Sequence, residues 1–79
     1  MKNTIKNGSL VFTANWLNDE QSVLSVVVSS SLGELEFDEL TNLSWPSDSE
    51  ISRLVGRKVV AFDGGDSIAE TIYLTKEEP

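Results

Sequence analysis

Ser22-Val23-Leu24-Ser25-Val26-Val27-Val28-Ser29-Ser30 is the stretch on which the fold turns. Its centre is almost wholly β-branched, a composition that suits a pleated, packed surface. Leu24, Val26 and Val28 share one face, while Val23 and Val27 interrupt the serines on the other. A strand apolar on both sides belongs in the middle of a sheet or in a closed barrel.

Working outward, Ser9 to Leu17 predicts a strand before it, with Leu10, Phe12, Ala14 and Trp16 on one face. Asn18-Asp19-Glu20-Gln21 is short and polar and suits a hairpin loop. Lys6-Asn7-Gly8 signals a turn ahead of that strand, and residues 1–6 are expected to fray. On the other side, Ser31-Leu32-Gly33 supplies a turn. Glu34-Leu35-Glu36-Phe37-Asp38-Glu39 follows with strict alternation, the period of a half-buried strand. Read so, Leu35 and Phe37 enter the core. Glu34, Glu36 and Asp38 form a carboxylate row spaced ~7 Å apart, two residues of strand rise.

Thr41 to Trp45 has no period and is expected to cover the core with Leu43 and Trp45. Pro46 to Gly56 predicts a helix. Ser47 and Glu50 stand in capping-box spacing, Ile51, Leu54 and Val55 make one apolar stripe, and Gly56 is placed to end it. Lys58 to Phe62 and Ser67 to Thr75 predict two further strands around the turn Asp63-Gly64-Gly65-Asp66, and residues 76–79 are expected to fray. The expected class is α+β, mainly β, in the order β-β-β-α-β-β. It is either a strongly bent five-stranded antiparallel sheet or a small SH3- or OB-like barrel, with one short helix in a single domain over 1–79.

Composition narrows the function. The 79 residues contain no Cys and no His, which removes disulfides, thiolate metal sites and the usual general base. Ser29, Ser30 and Ser31 have no His or Lys partner that would activate a hydroxyl. Gly64-Gly65 is too poor in glycine for a phosphate loop, and the two acids beside it are too few for a calcium cage. The chain is therefore expected to be neither an enzyme nor a carrier of metal or cofactor. No apolar run approaches the ~20 residues that cross a bilayer, and no signal-peptide pattern opens the chain, so a cytoplasmic protein is expected.

Charge gives the strongest signal. Between Lys6 and Arg53 stand Asp19, Glu20, Glu34, Glu36, Asp38, Glu39, Asp48 and Glu50, with no Lys, Arg or His. A net charge of −7 argues against direct binding to nucleic acid or an anionic membrane and suits a basic protein surface. Arg53, Arg57 and Lys58 are too few for a nucleic-acid footprint. In size, charge and lack of a catalytic set the chain resembles the small acidic inhibitors that phages encode, including DNA-mimicking and anti-CRISPR proteins. That resemblance implies a partner with a basic, nucleic-acid-binding surface, blocked by the eight carboxylates, with Trp45 as an aromatic anchor at the helix entry. Two readings compete with it: the acids are a solvated face only, or the domain pairs through a strand edge as a homodimer or subunit.

Without a metal cage around Gly64-Gly65, a chelator is expected to leave the melting temperature unchanged. Thermal scans with and without EDTA, followed by calcium addition, check this.

Overall fold

The computed structural model describes residues 4–63, 68–75 and 77. Its strands are β1 (Thr4–Asn7), β2 (Leu10–Trp16), β3 (Val23–Ser30), β4 (Val59–Asp63) and β5 (Ala69–Leu74). Two helices, α1 (Phe37–Thr41) and α2 (Asp48–Val55), lie between β3 and β4. The strands form one antiparallel sheet in the order β1-β2-β3-β5-β4. The valine strand β3 has a neighbour on each side, as its two-faced apolar pattern demands.

The expected class holds, with a different strand in one place. Glu34 to Leu40 is not a strand. After Ser30 the chain turns away through Leu32 and Gly33, whose φ of +125° suits glycine, and then forms α1. The free edge of β3 is taken by β5, whose Ile72 and Leu74 bury against it where an acidic strand would have buried only Leu35 and Phe37. The meander exists one strand earlier: β1 supplies its first member, so residues 4–6 are paired rather than frayed. Ile5, opposite Phe12, gives β1 its apolar anchor on the core side. At the other end the Glu77 carbonyl accepts from the Lys58 N–H at 3.0 Å, so that residue is tied down as well. The predicted frayed residues 1–3, 76, 78 and 79, and the turn through Gly64-Gly65 with Asp66, lie outside the described residues.

One face of the sheet holds the core. Phe12, Ala14, Leu24, Val26, Val28, Ile72 and Leu74 come from its strands and Ile51 from α2. Leu24 and Ile72, paired across β3 and β5, are both fully buried. α2 lines one cleft with Ile5 of the edge strand β1 and another with Val59 of the opposite edge strand β4. A helix of eight residues is only ~12 Å long, whereas five flat strands span ~19 Å from first to last. The sheet must therefore curl around α2. β1 and β4 remain its two edges, so the sheet stays open and is not a barrel.

Local chemistry fixes the turns. Asn18 closes the β2–β3 loop: its Oδ1 accepts from the backbone of Ser22 (3.0 Å) and Val23 (3.2 Å), and its Nδ2 donates to Ser22 Oγ at 2.8 Å. Ser47 caps α2, its Oγ accepting from the Glu50 N–H at 3.3 Å, and Gly56 ends the helix in the left-handed conformation at φ +69°. The Glu50 carboxylate accepts from Ser47 Oγ at 3.3 Å, a variant of the expected box. Leu43 and Trp45 cover the core as expected, the Trp45 ring lying 5.4 Å from that of Phe12 and tilted by 54°.

Ser47→Ala is expected to cost about 1 kcal/mol, because it orphans a helix N–H at the first turn of α2. In a domain of this size that corresponds to a fall in melting temperature of roughly 4–8 °C, which calorimetry measures.

Candidate functional site

The eight carboxylates do not form one row. Asp19 and Glu20 occupy the β2–β3 loop. Glu34, Glu36, Asp38 and Glu39 surround α1 at the opposite end of β3, separated from that loop by its eight residues, ~26 Å of strand rise. Asp48 and Glu50 sit in the first turn of α2, where the positive end of the helix dipole favours them.

These groups differ in their electrostatic surroundings. Glu50 shares a cleft of about 240 Å³ with Lys6, Ile5, Trp45 and Pro46. Asp48 shares another with Arg53 and Lys58. The α2 acids thus face the chain's own cations. Glu34 lines a shallow groove with Val28, Leu35, Leu40 and Ile68, to which no basic residue among the described ones contributes, while Glu36 and Asp38 are exposed.

A second property singles out α1. Phe37, expected in the core, is 77% exposed, and Leu32 in the preceding turn is 86% exposed. They stand among Glu34, Glu36 and Asp38, all exposed, while Leu35 packs against the core and half-buried Leu40 lines the groove beside Val28. α1 buries no residue fully and has no side-chain cap at Glu36. Its other end is gathered on one carbonyl: Asp38 O accepts from Thr41 Oγ1 (3.1 Å), the Asn42 N–H (3.1 Å) and Asn42 Nδ2 (2.9 Å). The segment is a small acidic knob tipped with an aromatic ring.

Sequence reasoning missed Phe37 and Leu32 as surface groups because alternation assigned one inward and the turn hid the other. A signal was present. Glu and Asp are depleted in strands, and acids preceding or opening a helix favour its positive end, so the same letters also fit a helix start. Trp45, the expected anchor, is half-buried against Phe12 and shows only part of its ring.

Among the described residues no group of three or more acidic side chains is arranged to hold a metal ion, and no helix is long and apolar enough to cross a membrane. No family model matches the chain, and no curated protein or solved structure matches it either.

One carboxylate is perturbed by its position. Glu70 lies on the core side of β5 opposite Val26, and partial burial raises its pKa above the usual glutamate value. A raised folded-state pKa means the native state holds the proton more tightly than the unfolded chain does. Stability therefore falls as pH rises from the ordinary glutamate range through the raised value. Glu70→Gln is expected to remove that part of the slope, raising the melting temperature at pH 7 and converging with the parent below about pH 4. Paired melts across pH check this.

Proposed function

We propose that the protein is a non-enzymatic binding protein whose α1 knob blocks a basic, nucleic-acid-binding surface of a partner, in the manner of a DNA mimic or anti-CRISPR inhibitor. The observation that carries this is the exposure of Phe37 among the exposed carboxylates of Glu34, Glu36 and Asp38. Duplex DNA presents about one charge per 1.7 Å, and proteins that bind it answer with lined Lys and Arg. Carboxylates at the knob give such a surface an alternative anion, and charge-assisted hydrogen bonds to it contribute ~1.5–3 kcal/mol each. Phe37 adds what phosphates lack, an apolar anchor of the kind that dominates interface energetics. The acids steer and orient; the ring holds. Asp19 and Glu20, at the far end of the sheet, belong to a second contact region if they touch the same partner at all. Pairing through a sheet edge has less support, since β1 is four residues long and the β4–β5 ladder is bulged between Val59 and Ala61.

The test begins with capture on the immobilised chain from a bacterial lysate, elution with duplex DNA, and identification of the eluted protein by mass spectrometry. Affinity for that protein is then measured for Glu34→Lys/Glu36→Lys/Asp38→Lys and for Phe37→Ala. Both variants change exposed side chains and should keep the circular dichroism of the parent. The triple reversal is expected to abolish binding, and Phe37→Ala to weaken it at least ~10-fold. Parent binding should weaken steeply with salt. A folded triple variant that binds with parental affinity and salt dependence reduces the acids to a solvated face.

A further inference from the structure

A buried hydroxyl left without a partner destabilises a fold, and such groups are few in native proteins. Ser52 of α2 is one. It is 7% exposed and is the buried polar residue among the described ones. Among those residues its Oγ makes no hydrogen bond, not even to a carbonyl of its own helix. The other α2 serines are engaged: the Oγ atoms of Ser47 and Ser49 lie 3.2 Å apart, and Ser47 also caps the helix. Ser52 lines a cleft of about 460 Å³ between α2 and the start of β4, together with Asp48, Arg53, Lys58, Val59 and Glu77.

Both walls of this cleft are fixed by the fold. Asp48 and Ser52 stand four residues apart on α2 and so share a face. Opposite them, the Lys58 N–H donates to the Glu77 carbonyl at 3.0 Å, and the Lys58 carbonyl accepts from the Thr75 N–H at 2.9 Å. Val59 is half-buried and packs against the core. Ser52 and Val59 therefore form the deep part, and Asp48, Arg53, Lys58 and Glu77 are exposed around it. That rim holds two carboxylates and two cations. Asp48 and Arg53 are five residues apart, ~7.5 Å of helix rise, outside the three- and four-residue spacings at which side chains of one helix meet.

We infer that the cleft binds a free α-amino acid with an aliphatic side chain. Charge selects this class. An inorganic anion would meet Asp48 and Glu77, and a simple amine would meet Arg53 and Lys58. A zwitterion offers its carboxylate to the two cations and its ammonium to the two acids, with no like charges opposed. The Ser52 hydroxyl donates to the carboxylate and so gains the partner that the fold withholds. The aliphatic side chain lies on Val59. The volume suffices, since small-molecule pockets begin at about 300 Å³. The charged rim is open to solvent, so its contacts are screened and the dissociation constant is expected at about 0.1–1 mM. The cleft shares no residue with the groove beside α1, and the inference stands apart from the role of that knob.

Titration of the isotope-labelled chain with L-leucine to about 10 mM, followed by amide chemical shifts, tests it. Saturable shifts at Ser52, Arg53, Lys58 and Val59 are expected. Isocaproate, which lacks the ammonium, isoamylamine, which lacks the carboxylate, and inorganic phosphate are each expected to bind at least ~10-fold more weakly. Ser52→Ala is expected to weaken leucine binding ~10-fold while keeping or raising the melting temperature, because it removes a buried group that the fold leaves unsatisfied. Arg53→Gln changes an exposed side chain and is expected to give a similar loss of binding with parental circular dichroism. The inference is overturned by the absence of saturable shifts, or by truncated analogues or phosphate that bind as well as leucine. Parental affinity in folded Ser52→Ala or Arg53→Gln, or a lowered melting temperature in Ser52→Ala, would overturn it equally.

Discussion

Everything in this small fold depends on one contact: Ile51, carried by an eight-residue helix, against the floor made by Phe12, Leu24 and Ile72. A chain of 79 residues buries only about 60% of the surface its unfolded form exposes, and this one has no disulfide to supplement the core. A flat five-stranded sheet would leave most of one face wet under so short a helix. Curling brings both edges to α2, so Ile5 on β1 and Val59 on β4 reach the same cover. The cap at Ser47 and the left-handed stop at Gly56 then have global weight, because they set the length and position of the only element that fills the concave side to its centre.

The elements that bury most were the ones legible in the sequence. β2, β3, β4, β5 and α2 all announce themselves through period and caps, and the buried core comes from β2, β3, β5 and α2, with Val59 and Phe62 of β4 packed against it. What escaped was decided by competition among segments, which no local pattern records. Glu34 to Leu40 alternates as well as any strand in the chain. It loses the edge of β3 to β5 because pairing Ile72 with Leu24 removes more apolar surface from water than seating Leu35 and Phe37 beneath three carboxylates would. β1 escaped for the opposite reason. Thr4-Ile5-Lys6-Asn7 has one apolar residue and reads as a frayed end, yet that one residue meets Phe12, and the ladder with β2 does the rest. The acids themselves were legible; their division into three groups was not, since it follows from the strand that failed to form.

The fold separates charge from apolarity with unusual completeness. The helical connection between β3 and β4 carries six of the eight acids that lie between Lys6 and Arg53, while the outer face of the three central strands carries no charged side chain.

The acidic knob is the least anchored part of the described chain. α1 is five residues long, buries none of them fully, and lacks a side-chain cap, so its helical form contributes little stability of its own. Leu35 fastens it to the core, and the three hydrogen bonds on the Asp38 carbonyl hold its end. A segment with so few buried contacts opens at a lower free energy than the sheet behind it. Phe37 and Leu32 contribute nothing to the core, so Leu35 is the segment's one apolar contact with it.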